Sequence, residues 1–262
     1  MKQEYQSSTI QRALDILNLF KNQPSFSFGE IQKVLGYNKA TLYRVLSTLQ
    51  DNRYISKNAN GRYELGLNIF ILGHRISNEY QLVNTATPFM RELSQSLGLT
   101  AHLGILDGTN VIVIQKSEPD RLIKMSCQVG GFLPAHCTSQ GKTLLAFSPQ
   151  ETVQKVIDTN GLKRYTPHTI CTTEGLMAEL EAVRLRGYAI DNGEHEKNIR
   201  CLAVPIFNES GKIEAALSAA GTIMDIPDEK SIQKSIDRLK EARDKIRMEL
   251  GYGGPSAPGE SE

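Results

Sequence analysis

Apolar side chains recur every three or four residues in three stretches near the N-terminus, the spacing of helices that bury one face. The first stretch covers residues 9–22, where Thr9 can serve as the N-cap. The second runs from about Ser27 to a stop at Gly36, and Asn38 begins the third. The residues expected to face inward are Ile10, Ala13, Leu14, Leu17, Phe20, Phe28, Ile31, Val34, Leu35, Leu42, Val45, Leu46 and Leu49. The pattern predicts three short helices around a common core.

Two short extended stretches follow, over residues 54–57 and 62–65. The four residues between them, Asn58-Ala59-Asn60-Gly61, are typical of a hairpin turn because Asn and Gly tolerate a positive φ. Three helices and a small hairpin within about 65 residues are the layout of a winged helix-turn-helix domain.

The rest of the chain changes its periodicity once. Helical spacing returns over residues 67–80, and Pro88 is expected to open a helix that ends at Gly98. From Thr100 onward, alternating segments predict strands at 102–106, 111–116, 123–129, 188–192, 202–207 and 213–220. Helical segments lie near 139–147, 149–158, 173–186 and 228–250. This mixture predicts an α+β domain around an antiparallel sheet.

The distribution of charge separates the two parts of the chain. Residues 1–75 carry ten Lys or Arg against five Asp or Glu, whereas the remaining residues carry 20 against 24. A basic N-terminal part beside an acidic remainder indicates that only the former meets a polyanion. No apolar run exceeds four residues, and the polar N-terminus does not resemble a signal peptide. We therefore expect a cytoplasmic protein with no membrane contact.

The third predicted helix presents a polar face opposite its apolar stripe. Arg44 can bond a guanine edge or a phosphate, and small neighbours allow close approach to DNA bases. The residues expected to contact DNA are Lys39, Ala40, Thr41, Tyr43, Arg44 and Ser47 on this helix, with Asn60 and Arg62 on the hairpin. For the two hairpin residues, a plain surface turn is an equally good interpretation.

Several enzymatic interpretations fail on spacing. Gly141-Lys142-Thr143 could end a phosphate-binding loop, but that loop requires Gly at position 136, where the chain has His136. His136 and Cys137 are adjacent, so on a strand they would point to opposite faces. The four cysteines form no C-x-x-C pair, although a zinc site could still be assembled from His102, His136, Cys137 or His168. We expect no enzyme activity and no cofactor.

Six segments together resemble the IclR family of bacterial transcription regulators, and they occur in the family's order over about residues 8–250. They are T-I-Q-R-A-L-D-I-L (9–17), N-K-A-T-L-Y-R-V-L-S-T-L (38–49), Y-I-S…G-R-Y-E-L-G (54–66), P-A-H-C-T-S-Q-G-K-T-L-L-A (134–146), R-G-Y-A-I-D-N-G-E (186–194) and R-C-L-A-V-P-I-F (200–207). The resemblance implies a winged helix-turn-helix domain (1–66), a linker helix (67–84) and a GAF-like effector-binding domain (85–251). The Gly- and Pro-rich tail 252–262 is expected to be disordered.

The resemblance also implies a pocket for a small organic effector. In the family, backbone amides before the G-K pair bind the effector carboxylate, and here Ser139 and Gln140 occupy that loop. Because a smaller residue is commoner at the first of these positions, Ser139-Gln140 is expected to narrow or re-polarise the pocket. The implied effector-binding residues are Leu122, Met125, Leu133, Ser139, Gln140, Asp191, Cys201, Ser218 and Ala220. Leu122, Met125 and Leu133 would form an apolar wall, although Met125 and Leu133 could instead belong to the core.

These observations predict a ligand-responsive, DNA-binding transcription regulator. The resemblance implies homodimers, often paired into homotetramers on operator DNA. We expect a repressor of a catabolic operon that a small carboxylate releases or retunes. An activator of the same architecture remains an alternative, as does a sensing module whose winged domain contacts protein or RNA.

Overall fold

The structure is a computed structural model that describes residues 7–21, 23–79, 81–120 and 127–252. It divides into two compact units between Tyr80 and Gln81. Within the described residues, no helix combines the length and the apolar character needed to cross a bilayer. The predicted tail lies almost entirely outside the described residues, as do Leu122 and Met125.

In its described residues, the first unit consists of four helices and a three-stranded antiparallel sheet. Its elements are α1 (Ser8–Leu19), β1 (Ser25–Phe26), α2 (Phe28–Leu35), α3 (Lys39–Asp51), β2 (Ile55–Lys57), β3 (Tyr63–Leu65) and α4 (Leu67–Glu79), with the sheet in the order β1-β3-β2. The first three helices and the β2–β3 hairpin confirm the winged arrangement. The two-residue strand β1 was not predicted, because its pairing with β3 depends on a distant segment.

Local signals explain where α2 and α3 begin. Ser27 and Glu30 form a reciprocal capping box at the start of α2, and Gly36 ends this helix with a φ of 68°. The side chain of Asn38 accepts the N–H of Thr41 at 2.8 Å and so caps α3. These boundaries agree with the prediction.

The N-terminal prediction is wrong for four residues. Helix α1 begins at Ser8 after Ser7, so Thr9 lies inside it rather than capping it. Ile10 and Leu14 on α1 and Val34 on α2 are exposed rather than inward-facing. Apolar periodicity identifies a helix, but it does not show how much of the apolar face the neighbouring elements cover.

The second unit, as far as the structure describes it, is a six-stranded antiparallel sheet between helices. Its elements are α5 (Gln81–Leu97), β4 (Thr100–Asp107), β5 (Asn110–Ser117), β6 (Phe132–Pro134), α6 (Ser139–Ala146), α7 (Gln150–Asn160), α8 (Thr173–Arg186), β7 (Ala189–Asn192), β8 (Ile199–Phe207), β9 (Ile213–Thr222) and α9 (Glu229–Glu249). The strand order is β6-β5-β4-β9-β8-β7. One sheet face packs with α5 and α9, and the other contributes to a core with α6, α7 and α8.

The prediction for this unit differs from the structure at Pro88 and at the predicted strand 123–129. Pro88 lies inside α5 rather than at its start, and the residues buried on both sides of it, including Ala86 and Met90, hold the helix against the sheet. The predicted linker region 67–84 contains α4 and the first turn of α5. Most of the predicted strand 123–129 lies outside the described residues. Its last three residues are not in a strand, and β6 pairs with β5 instead.

Candidate functional site

Helix α3 exposes the side chains that were predicted to contact DNA. Leu42, Val45, Leu46 and Leu49 are buried, as the periodicity predicted. On the other face Lys39, Ala40 and Arg44 are exposed, and the ring of Tyr43 is 66% exposed. Thr41 and Ser47 are half-buried at the borders of this face. The face therefore combines two cations with small and hydroxyl side chains.

The two cations of this face are available for an external partner. Within the described ranges, the side chains of Lys39 and Arg44 form no hydrogen bond or ion pair. Arg44 also borders a groove between α1 and α3, together with Arg12. Arg12 did not emerge from the sequence, because α1 was interpreted only as a core helix.

The hairpin positions its two predicted DNA contacts differently. Asn60 is exposed at the turn. Arg62 instead donates to the Ser25 hydroxyl at 3.0 Å and to a Glu30 carboxylate oxygen at 2.6 Å. Hydrogen bonds to the backbone N–H of Ser27 and to Arg62 hold the pKa of Glu30 below its ordinary value. Arg62 thus links the wing to the start of α2, which favours a structural role over a DNA contact.

A cavity in the second unit brings together the predicted effector-binding residues that the structure describes. They are Leu133, Ser139, Gln140, Asp191, Cys201, Ser218 and Ala220. Strand register explains part of this grouping, because Asp191 pairs with Cys201 and Cys201 pairs with Ala220. Directly paired residues in an antiparallel sheet point to the same face. Ser218 lies two positions from Ala220 and so shares that face.

The first turn of α6 forms one side of the cavity. Thr138 caps this helix by accepting the N–H of Gly141 at 3.2 Å, and its backbone carbonyl accepts the N–H of Lys142 at 2.9 Å. In the part of the chain that the structure describes, the N–H groups of Ser139 and Gln140 have no acceptor. Free amides at the start of a helix are suited to binding an anion.

The side chain of Gln140 is held against the sheet. Its amide nitrogen donates to the carbonyl of Ala216 at 3.1 Å, and the side chain lies over Gly104, where a Cβ would come within 2.8 Å of it. Gln140 therefore contributes a fixed wall to the cavity.

Asp191 occupies an unusual electrostatic environment in the cavity wall. Its carboxylate is 2% exposed and accepts the backbone N–H of Glu194 at 2.7 Å. Burial raises the pKa of Asp191 to about 7, and repulsion by Glu194 adds to this effect, while the hydrogen bond from the Glu194 N–H opposes it. At neutral pH the group therefore exists in both protonation states.

Lys142 of the G-K pair is not placed to bind a phosphate. It is 1% exposed, and its ammonium group bonds the carboxylates of Glu179 and Glu194 and the carbonyl of Ile190. Burial raises the pKa of Glu194 above its ordinary value, and Lys142 opposes that rise. The lysine thus fixes α6 against α8 and β7.

Six further residues line the cavity that the sequence interpretation did not assign to it: His102, Cys127, Thr138, His195, Glu196 and Ile199. The place of His102 in the cavity depends on strand register. It pairs with Ser218, which lies more than a hundred residues away in the sequence, so the sequence pattern could not predict it. His195 and Glu196 follow the family-like segment ending at Glu194, and this proximity was the only signal for them.

The described residues give no geometric support to a metal site or to a nucleophilic cysteine. Among the described residues, His102, His136, Cys137 and His168 form no cluster suited to a metal ion. His136 Nε2 lies 3.0 Å from the carbonyl of Lys163. Burial raises the pKa of the Cys137 thiol, which opposes formation of a nucleophilic thiolate.

Comparison with known proteins agrees with both halves of this description. Residues 9–59 match the IclR helix-turn-helix domain, and residues 74–248 match the C-terminal domain of the bacterial transcriptional regulator IclR. The chain is 34% identical to the transcriptional regulator XynR of Escherichia coli, covering 93% of this chain and 97% of XynR. It is 30% identical to the transcriptional repressor IclR of the same species, over 95% of this chain and 91% of the repressor.

A solved structure extends the comparison to a bound ligand. An IclR homologue from Microbacterium hydrocarbonoxydans, complexed with 4-hydroxybenzoate, matches with a TM-score of 0.85 and 25% identity. The match covers 94% of this chain and all of the homologue. Family, fold and the order of the domains agree, and the chain belongs to the IclR family of DNA-binding transcription regulators.

Proposed function

We propose that this protein is a repressor whose affinity for operator DNA is controlled by a small organic carboxylate bound in the cavity of the second unit. This proposal is carried by the N–H groups of Ser139 and Gln140, two residues that line the cavity. Neither group has an acceptor among the described residues. Free amides at the start of a helix bind anionic groups, and a carboxylate is one of them. The 4-hydroxybenzoate complex of the homologue supports a carboxylate, and the repressor IclR supports the sign of regulation.

The cavity offers further groups for the effector. Ser218 brings a hydroxyl, while Leu133 and Ile199 bring apolar surface. Asp191 would repel a carboxylate when it is ionised, so a simple acid binds best when Asp191 is protonated. An effector with a hydroxyl or amine could instead donate to the ionised form.

DNA recognition belongs to α3. Arg44 would bond a base edge or a phosphate, Lys39 a phosphate, and Ala40 allows the helix to approach the major groove. The unpaired state of both cations in the described residues supports this assignment. Thr41, Tyr43, Ser47 and Asn60 complete the proposed DNA contact surface, whereas Arg62 supports the wing.

The functional unit would be a homodimer that pairs into a homotetramer on DNA. Ile10 and Leu14 on α1 and Leu67 and Leu72 on α4 are exposed apolar residues of the first unit, and a partner copy could cover them. Two copies would place two α3 helices on paired half-sites. Effector binding would shift the dimer between conformations that separate these helices differently, and so change operator affinity.

A screen of matched carboxylate and amide pairs tests the cavity assignment. The full-length protein is heated with benzoate or benzamide, with 4-hydroxybenzoate or 4-hydroxybenzamide, and with butyrate or butyramide. A carboxylate present at about 100 times its Kd should stabilise the protein by about 2.7 kcal/mol, whereas its amide should stabilise it less. If no carboxylate stabilises the protein more than its amide does, the proposed function is wrong.

A further inference from the structure

His102 is a buried polar side chain that lines the cavity. It lies on β4, paired with Lys116 on β5 and with Ser218 on β9. The residue is 6% exposed and lines the cavity, and its Nε2 atom has no partner among the described residues. Buried polar atoms of side chains are almost always bonded, so this nitrogen is available to a group that enters the cavity.

The described neighbours of His102 do not supply a hydrogen-bond partner for its Nε2 atom. Ser218 approaches the backbone carbonyl of His102, at 3.5 Å, and not the ring. Lys116 pairs with Glu118 at 2.9 Å. His136 provides a contrast within the same unit, because its Nε2 lies 3.0 Å from a backbone carbonyl. Only the ring of His102 combines this burial with an unused nitrogen beside the cavity, among the histidines that the structure describes.

The ring of His102 is neutral under physiological conditions. Burial, together with the charge of Lys116, lowers its pKa to about 4. A neutral imidazole has one nitrogen that donates a hydrogen bond and one that accepts. The neutral ring carries no charge to offset that of a second carboxylate on the effector. Asp191 and Glu196, which line the same cavity, would repel such a group. A hydroxyl fits both tautomers, since it can donate or accept.

We propose that His102 determines effector specificity by hydrogen bonding to a hydroxyl group of the effector, while the amides of Ser139 and Gln140 hold its carboxylate. The effector is accordingly a hydroxycarboxylate rather than a plain carboxylic acid. This inference rests on the proposed function, because it assumes that the cavity binds a carboxylate.

Calorimetric titration of the full chain with matched acids tests the role of His102. The probes are 4-hydroxybenzoate against benzoate, and gluconate against hexanoate. In the wild-type protein, at least one hydroxylated acid should bind about tenfold more tightly than its partner. His102→Phe should abolish that preference, whereas His102→Gln, whose amide can still donate and accept, should retain most of it.

A spectroscopic measurement covers the case in which His102→Phe fails to fold. The ¹⁵N chemical shifts of the His102 ring in the wild-type protein should change when the preferred hydroxylated acid is added, and should change less with its partner acid. Equal changes would overturn the role of His102.

The possible failures are distinguishable. If carboxylates bind but hydroxylated and plain acids bind equally, or His102→Phe keeps the preference, then His102 is not the specificity residue and the carboxylate site stands. If none of the four acids binds the wild-type protein, both this inference and the proposed carboxylate effector are overturned.

Discussion

The carboxylate of Asp191 accepts the backbone N–H of Glu194 at 2.7 Å, while the Glu194 side chain bonds Lys142 on α6. One turn after β7 therefore links the cavity wall to α6, whose residues Ser139 and Gln140 line the same cavity. This connection makes the protonation of Asp191 relevant to both stability and effector binding.

Asp191 should make the protein less stable as the pH rises. Its folded-state pKa is about 7, against an ordinary value of 3.8. The folded state therefore holds this proton more tightly, and its stabilising contribution is complete below about pH 4 and is lost as the pH rises through about 7. Asp191→Asn should remove this dependence and raise the free energy of unfolding at pH 8, by up to about 4 kcal/mol. Urea unfolding without effector, measured between pH 5 and 8, checks this.

Asp228 provides a control with the opposite sign. It caps α9, and its hydrogen bond from the backbone N–H of Ser231 lowers its pKa. Asp228→Asn should therefore leave the pH dependence of stability between pH 5 and 8 unchanged. Identical pH profiles for the wild-type protein and Asp191→Asn would contradict the assignment of a raised pKa to Asp191.

The proposed carboxylate site includes the hydroxyl of Ser218 and the N–H of Gln140. Removing these groups should weaken effector binding to different extents. Ser218→Ala should cost about 1–2 kcal/mol, the usual loss of a charge-assisted hydrogen bond. Gln140→Pro should cost more, because proline lacks the amide and also restricts the residue before it. Calorimetry with the best carboxylate from the thermal screen measures both changes.

Gln140→Ala is the matched control for this pair. It loses the bond to the carbonyl of Ala216 but keeps the backbone amide. It should therefore retain more affinity than Gln140→Pro. If Ser218→Ala and Gln140→Pro both bind like the wild-type protein, the effector lies elsewhere in the unit.

Arg44→Ala should weaken binding to a selected operator by about 1–3 kcal/mol and relax base preference at one position of each half-site. Lys39→Ala should weaken binding to all duplexes alike and reduce the salt dependence, as expected of a phosphate contact. Arg62→Ala is the comparison, because that side chain is already bonded to Ser25 and Glu30. Fluorescence anisotropy with operator and random duplexes measures these effects. Unchanged affinities for Arg44→Ala would refute the role assigned to α3.

The ion pairs of buried Lys142 with Glu179 and Glu194 should contribute strongly to the free energy of unfolding. Lys142→Met leaves the carboxylates of Glu179 and Glu194 near one another without their shared cation. Breaking a buried pair in this way costs about 3–5 kcal/mol. Adding Glu194→Gln to Lys142→Met should recover part of this loss in urea unfolding. A single variant as stable as the wild-type protein would show that the network contributes little.

The sequence predicted features that depend on nearby residues. The capping box at Ser27, the stop at Gly36 and the buried stripe of α3 are all local, and the structure confirms them. The positions of Ser139 and Asp191 came from segments resembling a known family, and the structure places both beside one cavity.

Features set by distant contacts were not accessible to sequence reasoning. Pro88 is accommodated inside α5 because the sheet holds the helix on both sides of it. Arg62 turns toward Glu30, which lies 32 residues away. His102 joins the cavity only through strand register with Ser218. Pattern and composition do not encode these pairings.

The central claim is that a carboxylate in the cavity controls DNA binding by α3. Its most direct test is the anisotropy of a labelled duplex, selected from a random pool by the full-length protein, titrated with protein in the absence and presence of a saturating carboxylate from the screen. We predict that the carboxylate weakens wild-type DNA binding at least tenfold and that Gln140→Pro, which binds DNA normally without it, no longer responds. DNA affinity that is unchanged by the carboxylate, or that changes equally in Gln140→Pro, would contradict the claim.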